Sequence, residues 1–268
     1  GRLPEETVES LKTFACFEEL DPKMLDAITG RKGTRSILDN LVTRNIFTSR
    51  TKDGQYHFHA LFKKHLLNDI EISEQKQFHQ KAGAYYYERK DYSQAAKYAI
   101  MADDNELLEK IILSGFNDRV GNGNFSELRN WFSALEDNPA HSSQKISLAR
   151  GIFLSSIGNF SEAKVWLDNV KPIDDPKGED LYFEALVHKA RILRNSSSFE
   201  ESNQLLDNLL ANIESLDPDK LYKAGIEKIY NLCWDSKIRD AYDTINLMIE
   251  TCARSGNLSA VSRFERYL

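Results

Sequence analysis

The sequence predicts an all-α fold, an α-solenoid of helix-turn-helix repeats preceded by a small winged-helix domain with one β-hairpin. Three observations predict it. A helix-opening signature recurs five times at spacings of 33 to 39 residues in the region after residue 71. An alternating β-prone pattern is confined to residues 46–59. The composition, 41% hydrophobic and 28% charged, is that of an ordinary globular chain, and 268 residues suffice to bury a core without disulfides or metals.

Residues 1–70 form the predicted winged-helix domain. Leu11–Leu20 and Met24–Ile28 read as short helices divided by Asp21-Pro22, a helix-start pair. Gly30 to Gly33 breaks the chain, and Thr34 is expected to cap a third helix with Ile37, Leu38, Leu41 and Val42 on one face. Two alternating runs, Ile46–Arg50 and Gln55–His59, flank Thr51-Lys52-Asp53-Gly54, a hairpin signal. A helix over Ala60–Asp69 follows.

Residues 71–268 form the predicted array of about five helix pairs. Each second helix opens on an aromatic or aliphatic residue, two polar residues and a small or apolar one. The five are Tyr92-Ser93-Gln94-Ala95, Phe125-Ser126-Glu127-Leu128, Phe160-Ser161-Glu162-Ala163, Phe199-Glu200-Glu201-Ser202 and Ile238-Arg239-Asp240-Ala241. The spacing brackets the ~34-residue tetratricopeptide (TPR) period and its longer variants, so the array is TPR-like. Gly123-Asn124 and Gly158-Asn159 supply helix-stop and turn signals. Twelve residues before Ala95, Ala163 and Ser202 sit Gly83, Gly151 and Ala190, the small residues that let paired backbones approach. Phe116 and Ile229 stand at that position in the second and fifth units, so those pairs are expected to be splayed or offset.

The cysteines Cys16, Cys233 and Cys252 form no C-x-x-C pair, which fits a reducing cytoplasm. No apolar run approaches the ~18 residues a membrane helix needs, so no membrane partner is expected. Gly1 where a Met would open a gene, and a last stretch that stops in mid-pattern, predict a segment of a longer protein, C-terminally truncated. A net charge of −6 argues against the whole chain binding nucleic acid, although residues 31–64 carry eight Lys/Arg against two Asp.

Phe78-His79-Gln80-Lys81-Ala82-Gly83-Ala84-Tyr85-Tyr86-Tyr87-Glu88, followed by Asp91-Tyr92-Ser93-Gln94-Ala95-Ala96-Lys97-Tyr98-Ala99, resembles a junction in MalT-type transcriptional activators. These are large signal-transducing ATPases with numerous domains (STAND) that carry a LuxR-like or related DNA-binding domain. Leu41-Val42-Thr43-Arg44-Asn45-Ile46-Phe47 and Tyr56-His57-Phe58-His59-Ala60-Leu61-Phe62 resemble that family's winged-helix segment. The motif-rich resemblance spans about residues 10–170. It implies a modular regulator with an ATP-binding domain upstream, this winged helix and sensor array, and a DNA-binding output elsewhere. No phosphate loop and no Gly-Lys dipeptide occur in the chain, so ATP belongs to the missing domain and no cofactor is expected in this segment.

No catalytic set emerges: there is no nucleophile elbow, and Asp103-Asp104 and Asp174-Asp175 read as helix caps. His57, His59 and His65 are expected to pack or hydrogen-bond, not to hold a metal. Arg35, Ser36, Asn40, Thr43 and Arg44 on the third winged-helix helix are candidates for a major groove or, the preferred reading, for docking on the missing ATPase domain, the alternative being a plain solvated face. In the array, Arg191, Arg194 and Asn195, then Tyr230 and Trp234, fall at nearly equivalent first-helix positions. Arginines beside aromatics suit a sugar, a nucleotide or an acidic peptide, the alternative being core aromatics and solvated arginines. The functional expectation is the sensor region of a MalT-like regulator, binding an effector or partner protein. A TPR scaffold for a partner peptide and a DNA-binding winged helix are the alternatives.

Overall fold

The computed structural model describes residues 5–52, 54–173 and 175–268. Gly1 and the turn acids Asp53 and Asp174 lie outside the described residues. Fifteen α-helices and one two-stranded antiparallel hairpin are present among them. The chain divides into two compact units, Gly1–Leu135 and Glu136–Leu268.

The first unit opens with α1 (Glu5–Ala15), α2 (Pro22–Thr29) and α3 (Thr34–Thr43). Helix α1 begins earlier and ends earlier than the Leu11–Leu20 expected. The periodic Phe14, Phe17 and Leu20 are all buried, but Leu20 has left the helix: its N–H donates to the Tyr56 carbonyl at 2.9 Å and bridges to the hairpin. Pro22 opens α2 as expected, with Asp21 capping it by accepting from the Lys23 N–H. Thr34 is not a cap. It is the first, buried residue of α3; Gly33 takes the cap position at φ 95°, and Asp26 accepts the Thr34 N–H at 3.0 Å.

The hairpin pairs β1 (Thr48–Arg50) with β2 (Tyr56–Phe58), shorter than the runs read from the sequence, in the register Ser49 opposite His57. Helix α4 (Ala60–Leu67) follows, completing the winged helix. Next come α5 (Ile72–Glu88), α6 (Tyr92–Ala102), α7 (Asn105–Gly121) and α8 (Phe125–Ser133).

The winged helix and the first helix pair share one core. Leu11, Phe14, Phe17, Leu38, Leu41 and Tyr56 pack in the same cluster as Ala82 and Tyr98. Polar bonds tie the same seam: His79 Nε2 donates to the buried Cys16 carbonyl at 3.0 Å, and the Tyr86 hydroxyl donates to Asp21 at 3.1 Å. Tyr86 stacks on Tyr98 at 5.7 Å, and Phe17 meets Tyr98 edge-on at 5.6 Å. The break between compact units therefore falls at Leu135/Glu136, while the change of texture near residue 70 lies inside a continuous core.

The second unit holds α9 (Gln144–Ser156), α10 (Phe160–Asp168), α11 (Pro176–Asn195), α12 (Phe199–Leu209), α13 (Pro218–Trp234), α14 (Ile238–Arg254) and α15 (Leu258–Glu265). Its first helices adjoin, α11 lying against both α9 and α13, with α15 against α13. Helices α10, α12 and α14 open on Phe160, Phe199 and Ile238, just as α6 and α8 in the first unit open on Tyr92 and Phe125. Where the sequence expects close approach, it occurs. A Cβ on Gly83 would come 3.5 Å from the Ala95 carbonyl, and the Ser202 hydroxyl donates to the Ala190 carbonyl at 2.9 Å.

The two departures have separate solutions. Phe116 fills the α7–α8 gap against Phe132, and the adjacent Gly115 faces Tyr92 of α6. In the fifth pair the small residue sits one turn earlier: Gly225 lies under Met248 and Phe264, whose Sδ and Cζ would each be 3.1 Å from an added Cβ.

Cys16 and Cys252 are buried and Cys233 is exposed. Burial pushes the Cys16 thiol up to about 12 and raises that of Cys252. Ellman's reagent should therefore titrate one thiol promptly in the native chain at pH 8 and three in denaturant. A second fast thiol under native conditions would contradict this packing.

Candidate functional site

Helices α11 and α13 build the candidate site in the second unit. At its centre is Glu227 on α13, a carboxylate only 3% exposed and absent from the candidates read in the sequence. It accepts from Arg191 Nε at 2.9 Å and from Arg191 Nη2, while Arg194 Nη1 donates to its other oxygen at 2.6 Å. A carboxylate buried this deeply is tolerable only when paired and hydrogen-bonded, and three such donors achieve it. One helix turn beyond, Arg194 lies over Tyr230 at 5.6 Å and Trp234 at 5.9 Å, within cation–π range.

The five predicted array residues thus divide. Arg194 is buried and structural in its contacts, not a solvated recognition arginine. Arg191 is half-exposed, and Asn195, Tyr230 and Trp234 are exposed. The signal that could have found Glu227 is its spacing: three residues before Tyr230 and seven before Trp234, it lies on their helical face, opposite two arginines.

Burial and the neighbouring Arg191 charge push the His188 imidazole down to about 4, with Lys223 acting in the same direction and Glu227 opposing. It is neutral at pH 7 and adds no charge to the cluster. Lys223 itself pairs with Glu184 across the same two helices.

In the winged helix, Arg35, Ser36, Asn40 and Thr43 share one exposed face of α3, with Arg44 exposed at its end. Asp39, beside them, accepts from the Tyr56 hydroxyl at 2.6 Å and pairs with Arg50 at 3.7 Å. The basic surface of this face is therefore interrupted by an acid that anchors the wing to α3. His57 Nδ1 bonds the Glu18 carbonyl at 3.0 Å, and His59 sits at the start of α4. Among the described residues no three His, Cys, Asp or Glu side chains gather to hold a metal. Asp104 and Asp175 cap α7 and α11. Among the described residues no helix is long and apolar enough to cross a membrane.

Comparison with known proteins places this geometry. Residues 1–78 match the family model of the MalT winged helix domain. The whole fold is similar to the crystal structure of a signal transduction ATPase with numerous domains (STAND) from Pyrococcus horikoshii that has a tetratricopeptide repeat sensor. The TM-score is 0.64 at 17% identity, over 98% of this chain and 40% of that one. No curated protein sequence matches the chain.

Proposed function

We propose, from the premise that residues 1–78 are a winged helix domain of the MalT type, that this chain is the sensor arm of a STAND regulator and performs no catalysis itself. In this reading the array binds an effector or a partner protein, and the winged helix passes the result to an ATP-binding domain elsewhere in the same cytoplasmic protein. Its output reaches DNA through a further domain.

The observation that carries the reading is the seam between the winged helix and α5–α6. With Tyr86, His79 and Tyr98 locked into the winged-helix core, a change in the first repeat cannot be absorbed by a flexible linker there. Such coupling is what a population shift between an autoinhibited and an open state requires. The exposed face of α3, Arg35, Ser36, Asn40, Thr43 and Arg44, is assigned to docking on the ATP-binding domain. The ion pair at Asp39 suits a protein surface better than a phosphate backbone.

Thermal melts of the chain against sugars, nucleotides and metabolites test the sensor reading. A ligand at 100 times its dissociation constant adds about 2.7 kcal/mol, a visible shift. A specific shift supports an effector-driven sensor. A flat panel together with a co-purifying protein would replace it with a scaffold for a partner peptide.

A further inference from the structure

Four side chains lie on the two helices that hold the buried ion cluster of the second unit. Arg191 and Asn195 lie four residues apart on α11, and Tyr230 and Trp234 four apart on α13, so each pair shares a helical face. Arg191 spends Nε and Nη2 on Glu227, leaving Nη1 without a partner among the described residues. The Asn195 amide makes no hydrogen bond there either. Trp234 is 63% exposed, large apolar area for a helix position beside a charged cluster, and Tyr230, 38% exposed, meets Tyr267 edge-on at 5.9 Å and keeps part of its ring open. Beneath them Arg194 Nε is buried with no acceptor, an orphan of the kind that needs explaining.

The charges decide the class of occupant. Two guanidiniums against one carboxylate leave a single positive charge, Lys223 and Glu184 cancel, and His188 is neutral. The half-buried position strengthens that charge relative to one in bulk water. A neutral sugar would use the rings and leave the charge unmatched, while a bare inorganic anion would leave the rings unused.

We propose that this patch binds a small organic anion carrying a planar ring, its anionic group on the outer edge of Arg191 with Asn195 beside it, and its ring on Trp234 and Tyr230. The proposal rests on the array being an effector sensor. A nucleotide phosphate and an aromatic carboxylate share this chemistry.

Isothermal titration of the 268-residue chain distinguishes them. The probes are AMP and benzoate, each set against its uncharged counterpart, adenosine and benzamide. At least one anion should bind tenfold or more tightly than its counterpart, AMP alone indicating a phosphate ligand and benzoate alone a carboxylate. Arg191→Gln and Trp234→Ala should each weaken that binding at least tenfold. Both positions are exposed enough to substitute, and Glu227 keeps Arg194 as a partner when Arg191 is changed. The anion-over-neutral preference is also read on the unaltered chain, so the result stands even if a variant melts early. The proposal is overturned if neither anion outbinds its counterpart, or if binding survives both substitutions. A metabolite that shifts the melt yet ignores both substitutions would leave the sensor reading intact and remove this site alone.

Discussion

Glu227→Ala should lower the stability of the second unit by about 3–5 kcal/mol, the usual cost of removing one partner from a buried ion pair. The reason is what it leaves behind. Arg194 is 8% exposed and loses its one carboxylate partner among the described residues, so its charge stays under Tyr230 and Trp234 without an anion. Arg191 is solvent-accessible and the buried Glu227 keeps Arg194 as a partner when Arg191 is removed, so Arg191→Ala should cost only about 1 kcal/mol, the top of the range for exposed pairs. Equilibrium urea unfolding of the three proteins measures both differences. Equal losses in the two variants would mean that Glu227 serves Arg191 alone and that Arg194 is stabilised by the rings. Replacing all three charged residues by apolar ones of similar volume should recover much of the loss, as buried ionic clusters often do.

The repeat was legible because its turn chemistry is local. Each second helix is preceded by a residue with positive φ: Lys90, Gly123, Gly158, Ser197 and Ser236, at φ between 61° and 81°. Two of these are glycines, which is why the sequence announced only two of the five turns. The other three hold the left-handed conformation with side chains that usually avoid it, and only the aromatic or aliphatic residue two positions on marks the helix start. The end of α1 was not legible for the opposite reason. Leu20 continues the apolar period of Phe14 and Phe17, but its backbone is claimed by Tyr56, 36 positions away in the sequence. A contact that distant leaves no local trace.

The site was half legible. Arginines and aromatics at equivalent repeat positions point to α11 and α13, which lie against each other because repeat register places those positions side by side. Which arginine is buried could not be read, since Arg191 and Arg194 differ by one turn and only the position of Glu227 on the facing helix assigns them. Composition likewise suggested a basic winged-helix surface, whereas Asp39, held by Tyr56 and Arg50, sits in its middle.

Gly151→Val should destabilise the second unit by about 3 kcal/mol, at the upper end of overpacking costs. An added Cβ would lie 2.6 Å from Leu167 Cγ and 3.3 Å from the Ala163 carbonyl. Neither can yield readily: Leu167 is fully buried, and the carbonyl belongs to the backbone of α10. Gaining a better helix former than glycine returns at most about 1 kcal/mol, too little to offset the clash. The decisive measurement is a double-mutant cycle with Leu167→Ala. That change alone leaves a cavity and should cost about 2–5 kcal/mol. Combined with Gly151→Val it should cost at least 1 kcal/mol less than the two single losses added together, because the valine enters the space the leucine leaves. Strict additivity would place the clash elsewhere and undo the reading of Gly151 as the point where α9 and α10 touch.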